Sequence, residues 1–110
     1  MYIRIQDRTI RYRVSKAECQ QLLDGRVLQD YFPASPDKNL TYSAKVTDSP
    51  GQFIFDQIQN HFQLKVNKKR LLEELENRPS KMGLAIVNQG SEISDPIAYL
   101  QIDLKNKTTI

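Results

Sequence analysis

Cysteine occurs once in the 110 residues, histidine once and glycine four times. A single cysteine has no partner for an internal disulfide, which favours a reducing compartment. One cysteine and one histidine also leave almost no material for a zinc site or a Cys–His–acid catalytic set. The glycines Gly25, Gly51, Gly83 and Gly90 are scattered, so no glycine-rich phosphate loop exists. Long apolar runs are missing as well. The longest, Met82 to Val87 with Gly83 counted, has six residues, whereas a bilayer-spanning helix needs ~18, so no membrane association is expected. The first residues read as a charged strand and not as a charged start followed by an apolar stretch, so no secretory signal is expected either. A cytoplasmic protein without metal or cofactor fits these absences.

What is present is an ordinary globular composition, 39% hydrophobic and 26% charged. That balance argues against disorder, and the length suits one compact domain. The net charge of +3 and pI of about 9.1 are mildly basic. They are compatible with an anionic partner without requiring one.

The most informative stretch is residues 2–25. Tyr2 to Gln6 and Thr9 to Val14 alternate with period two about a tight turn at Asp7-Arg8, which marks a hairpin. Ser15 and Glu18 have capping-box spacing for a helix from Lys16 to about Asp24. Gly25 is placed to close it in the left-handed conformation. Cys19, Leu22 and Leu23 form the inward stripe of that helix. Cys19 has no basic neighbour in sequence, so it reads as a packing thiol and not a nucleophile.

Further along, Arg26 to Phe32 reads as a strand ended by Pro33, and Pro33 to Asn39 as a loop. Leu40 to Val46 is a strand stopped by the turn Asp48 to Gly51. A second hairpin pairs Phe53–Ile58 with His61–Val66 about a turn near Gln59-Asn60. Asn67 caps a helix from Lys68 to Asn77 that is broken by Pro79. Met82 to Asn88 and Ile97 to Leu104 read as strands around a polar loop reaching Pro96. Lys105 to Ile110 reads as a frayed tail, leaving 1–104 as one domain.

The order strand-strand-helix-strand-strand therefore occurs twice. Sliding one half over the other lays Val14 on Val66, Ser15 on Asn67 and Leu23 on Leu75, the pattern of an internal repeat about a pseudo-two-fold axis. Such a repeat pairs Phe55 with Leu64 and Phe53 with Val66. The fold class is α+β, a curved antiparallel sheet against two helices in the order ββαββ-ββαββ. Its expected core is Ile3, Ile5, Ile10, Tyr12, Val14, Leu22, Leu23, Val27, Phe53, Phe55, Phe62, Leu64, Val66, Leu71, Leu75, Ile86, Leu100 and Ile102.

Two charge arrangements stand out. The two-residue turn sets Arg4 opposite Arg11, with Arg13 two residues along, and like charges directly opposite are unfavourable. An acid should lie nearby: Asp30, Asp56 or Asp103 within the chain, or a carboxylate- or phosphate-bearing partner without. Lys68, Lys69 and Arg70 open the second helix while Glu73, Glu74 and Glu76 close it, the reverse of the dipole preference. These cations at free N–H groups form a second candidate anion site, with a solvated charged face as the plainer alternative. His61, beside a turn, reads as an exposed imidazole. The strand aromatics Tyr2, Tyr12, Tyr31, Phe32, Phe53 and Phe55 read as core, although beside basic residues they also suit stacking on single-stranded bases.

The opening Met1-Tyr2-Ile3-Arg4-Ile5, continued by Ile10-Arg11-Tyr12-Arg13-Val14-Ser15-Lys16-Ala17-Glu18, resembles a family of short bacterial proteins of unknown function. Its members begin M-K-I-R-I and continue S-I-R-x-R-L-[ST]-[KQ]-x-E-[VL]. In that family an acidic-aromatic-basic-Cys run closes the chain, and Asp103-Leu104-Lys105-Asn106 is similar but lacks the Cys. The resemblance implies a small bacterial cytosolic protein and brings no activity, cofactor or catalytic residue.

The residues thus point to a non-enzymatic protein-binding or self-associating module. The alternative is a nucleic-acid or anion binder using the basic hairpin face. An enzyme would need a pocket that gathers Glu18, Asp56 or His61.

Overall fold

The computed structural model describes residues 1–77, 83–86 and 98–103. In chain order the elements are β1 (Tyr2–Gln6), β2 (Thr9–Val14), α1 (Lys16–Leu23), β3 (Leu28–Ser35), β4 (Lys38–Thr47), β5 (Gly51–Asp56), β6 (His61–Asn67), α2 (Lys68–Glu76), β7 (Leu84–Ile86) and β8 (Ala98–Ile102). The protein is α+β.

The N-terminal stretch folds as its residue pattern dictates. Asp7 and Arg8 both take positive φ (52° and 67°), the backbone of a tight turn whose twist matches the flanking strands. That turn fixes the register Tyr2–Arg13, Ile3–Tyr12, Arg4–Arg11, Ile5–Ile10 and Gln6–Thr9. Ser15 Oγ accepts from the Glu18 N–H at 3.0 Å, and the Ser15 N–H donates to Glu18 Oε1 at 2.9 Å, closing the capping box. At the other end Gly25 has φ +90°. Its N–H donates to Leu22 O and the next N–H, of Arg26, to Gln21 O, the two bonds of a Schellman motif.

The single curved antiparallel sheet expected from the sequence is instead two four-stranded sheets among the described residues. Their orders are β1-β2-β8-β7 and β3-β4-β6-β5. Each is made of two antiparallel hairpins whose inner strands run parallel, β2 beside β8 and β4 beside β6. Every sheet therefore takes one hairpin from each half of the chain. A pattern of periods and turns shows the hairpins but not which hairpin docks on which.

Three local expectations are corrected. First, β3 runs through Pro33 to Ser35, and the connection to β4 is only Pro36-Asp37. Pro33 is tolerated because β3 is an edge strand, where a missing N–H costs no ladder bond. Second, β5 begins at Gly51 and its turn spans Gln57 to Asn60, so Phe53 pairs with Leu64 and Phe55 with Phe62. The difference is a slip of two residues, which keeps the same face inward. Asp56 Oδ1 holds the wider turn by accepting from the N–H groups of Ile58 (3.0 Å) and Gln59 (3.2 Å). Third, the inward face of β3 starts from Leu28, opposite Ala44, so Val27 points outward and is 56% exposed. Of the expected last strands, β7 and β8 retain Leu84–Ile86 and Ala98–Ile102. Met82, Val87, Asn88, the loop to Pro96, Ile97, Leu104 and the tail lie outside the described residues.

Both sheets and both helices bury their apolar sides in one cluster. Tyr12, Val14, Leu100 and Ile102 come from the first sheet, Ala44, Leu64 and Val66 from the second, and Cys19, Leu22 and Leu71 from the helices, which pack on each other. Tyr12 is fully buried and ties the sheets together, its hydroxyl donating to Phe62 O at 3.3 Å. Burial, then the nearby Tyr42, pushes that hydroxyl far above its ordinary range, so it stays a proton donor. Ile5 (60% exposed) and Phe55 (41%), both expected in the core, sit where the strands run out beyond it.

Candidate functional site

Alternation along β1, β2 and β8 sends Ile3, Ile10, Tyr12, Val14 and Leu100 into the core. It must therefore send Tyr2, Arg4, Arg11, Arg13, Tyr99 and Gln101 to the opposite face. There Tyr2, Arg4, Arg11, Arg13 and Gln101 line a hollow of about 460 Å³ with Gln6, Asp7 and Thr9, and Tyr99 lies opposite Arg11. Arg4, Arg11 and Arg13 are brought together in it as the hairpin register requires.

The guanidiniums are held by aromatic rings. Arg11 lies over the Tyr99 ring, its Cζ 4.7 Å from the centroid. Arg13 donates from Nη1 to Tyr2 Oη at 3.0 Å, with its Cζ 6.0 Å from that ring's centroid. Such contacts hold a cation without neutralising it. Asp103 is the predicted acid that does lie here, with Oδ1 at 3.6 Å from Arg13 Nη2. The other two are committed elsewhere. Asp56 caps its turn, and Asp30 accepts from the Tyr31 N–H at 2.8 Å. Among the described residues no carboxylate lies within ion-pair distance of Arg4. Arg13 Nε is buried without a hydrogen-bond partner among them. Of the acids, Asp7 lines the hollow and Asp103 lies beside Arg13.

Lys68, Lys69 and Arg70 do not join this hollow. All three are exposed on the first turn of α2, where Arg70 Nη2 donates to Ala85 O at 3.3 Å. Asn67 Oδ1 already accepts from the Arg70 N–H at 3.0 Å, so one of the free helix donors is taken. Tyr99 and Gln101 had no signal in the sequence, because their place depends on β8 lying beside β2.

The second sheet has an outward hollow of its own, about 190 Å³, lined by residues that include Ser43, Lys45, His61, Gln63 and Lys65. His61 is not the exposed turn imidazole expected. It opens β6, half-buried, with Nε2 at 2.8 Å from Ser43 Oγ and Nδ1 at 3.5 Å from Gln63 Nε2. A serine nucleophile would need an acid on that second nitrogen. An amide occupies the place, and Asp56 is bound to its turn. Glu18 instead caps α1 and pairs with the Met1 amino group. Cys19 is fully buried, and burial pushes its thiol up to about 11, which leaves it a protonated packing group.

Fold and face together define a two-sheet α+β protein with an arginine-lined concave surface. No helix among the described residues is long and apolar enough to cross a membrane. The chain belongs to DUF7009, a family of unknown function, whose family model matches residues 1–94. The match extends well beyond the N-terminal segment that carries the resemblance. No curated protein and no solved structure matches the chain.

Proposed function

We propose that the protein is a non-enzymatic protein-binding module that receives acidic side chains of its partner on the guanidinium face of the first sheet. The observation that carries this reading is Arg4 set directly opposite Arg11, with Arg13 beside them, all three lining one hollow. Guanidinium forks match carboxylates through paired N–H donors. Arg11 on Tyr99 and Arg13 on Tyr2 are partly ordered before a partner arrives, which reduces the entropy lost on binding. A second copy of the chain offering carboxylates is one form of such a partner. A bacterial cytoplasmic setting is consistent with the lone, buried cysteine and with the N-terminal resemblance.

Titration of a glutamate-rich peptide into the full chain tests this. Binding should weaken steeply with added salt. The double substitution Arg4→Glu and Arg11→Glu should weaken it about tenfold or more, since hydrogen bonds to charged groups contribute ~1.5–3 kcal/mol each. A peptide that fails to bind at low salt, or binds the variant equally well, ends the proposal. Light scattering over a concentration range identifies self-association.

A second reading rests on Tyr2, 51% exposed, and Tyr99 lying on the same face as the arginines. Rings and guanidiniums together suit single-stranded bases and phosphates. A short oligothymidylate that displaces the peptide from Arg4 and Arg11 would favour it.

We also infer that the two halves are an internal repeat in one domain. Exchanging them turns the order β1-β2-β8-β7 into β5-β6-β4-β3, which is the second sheet read from its other edge. Leu28 opposite Ala44 corresponds to Leu84 opposite Leu100, and Tyr12 opposite Leu100 to Leu64 opposite Ala44. The single buried cluster supports the one-domain reading.

A further inference from the structure

The outward face of the second sheet repeats, in different chemistry, the charge conflict of the first. Parallel pairing of β4 with β6 puts Lys45 directly opposite Lys65, like charges on the two central strands of the sheet. Among the described residues no carboxylate lines this hollow, and none lies within ion-pair distance of either lysine. Around the lysines stand groups that can donate hydrogen bonds: the amides of Gln29 and Gln63, and the Ser43–His61 pair. Ser43, only 8% exposed, is bonded to His61 at 2.8 Å. Whichever member of the pair donates, the other keeps a proton. It is the Ser43 hydroxyl if His61 Nε2 donates, and His61 Nδ1 if Ser43 donates.

We infer that this hollow is a binding site for a phosphate group. Compact ammonium charges with hydroxyl, imidazole and amide donors around them suit a tetrahedral oxyanion with three strong acceptors. A volume of about 190 Å³ lies below the ~300–1,000 Å³ of pockets that enclose drug-sized ligands, so the site takes the phosphate and leaves the remainder of any larger ligand outside. The site is independent of the guanidinium face and of the proposal made for it.

Amide chemical-shift titration of the full chain at low ionic strength tests this, with inorganic phosphate in one arm and a short oligothymidylate in the other. Saturating shifts should appear at Ser43, Lys45, Gln63 and Lys65. They identify a free ion if inorganic phosphate alone produces them, and a phosphate carried by a larger molecule if the oligonucleotide does. Lys45→Gln with Lys65→Gln should weaken the binding read at these amides about tenfold or more, while Arg4→Gln with Arg11→Gln should leave the shifts at these amides unchanged. Circular dichroism and a melting temperature no lower than wild type will show that the lysine variant folds, since the substitution removes a repulsion. Absence of shifts at these amides in both arms overturns the inference, as does equal affinity in a folded lysine variant. Loss of peptide binding on the arginine face bears only on the function proposed above.

Discussion

Glu18 is held in two directions at once. Partial burial raises the pKa of its carboxyl, but hydrogen bonds and charge from the Met1 amino group, with the Ser15 N–H and hydroxyl, lower it by more, so it lies below its ordinary 4.5. A carboxylate with a depressed folded-state pKa adds stability that is present above the unfolded value and lost as pH falls through the folded one. Wild type should therefore lose stability more steeply than Glu18→Gln when acidified below about 4.5, the two converging at lower pH in urea titrations. Ser15→Ala removes the other half of the cap and should cost about 1 kcal/mol in the same measurement. Cys19 should react with a thiol reagent at neutral pH only as fast as the protein opens, because it is both buried and protonated. A fast reaction in the folded state would contradict its packing role.

Among elements, the β1–β2 hairpin makes a sharper test, because stability and binding should move in opposite directions. Arg4→Glu replaces a like-charged cross-strand pair by an opposite one, which should stabilise the fold by a few tenths of a kcal/mol. The same change should weaken peptide binding at this face. Thermal melts and titration on one sample decide the matter, and a variant that is both less stable and still binding would refute the assignment. Gly83 supplies a second test. It has φ +86°, and an added Cβ would meet Leu100 O at 2.7 Å, whereas at Gly25 (φ +90°) nothing lies within 4 Å. Gly25→Ala should cost about 1–2 kcal/mol for the left-handed backbone alone, and Gly83→Ala distinctly more in urea unfolding. The hairpin, its register, both helix caps and the three arginines were legible because each depends on residues within a few positions of one another. Tyr99, Lys45 and the Ser43–His61 contact were not, because β2–β8 and β4–β6 are pairings between distant strands that leave no periodic mark. Pro33 misled for a related reason. It stops a central strand but not an edge strand, and edge position is a property of the assembled sheet.

For the whole molecule, the shared sheets have a direct consequence for dissection. A chain divided between β4 and β5 yields two pieces, each holding one hairpin of each sheet and neither holding a complete sheet. An isolated hairpin is at best marginally stable in water. Each fragment should be largely unfolded alone, and mixing them should restore the circular dichroism of the intact protein. A fragment that folds unaided would show that the halves do not depend on each other.

The β2–β8 pairing also bears on how the protein is made. Val14 lies beside Ile102, far along the sequence, so the β1–β2 hairpin leaves the ribosome well before the strand it pairs with has been made. Until then Ile10, Tyr12 and Val14 show an apolar flank to the cell, and contacts this distant in sequence are slow to form. The nascent protein should be prone to aggregation and a natural client for chaperones during its own synthesis.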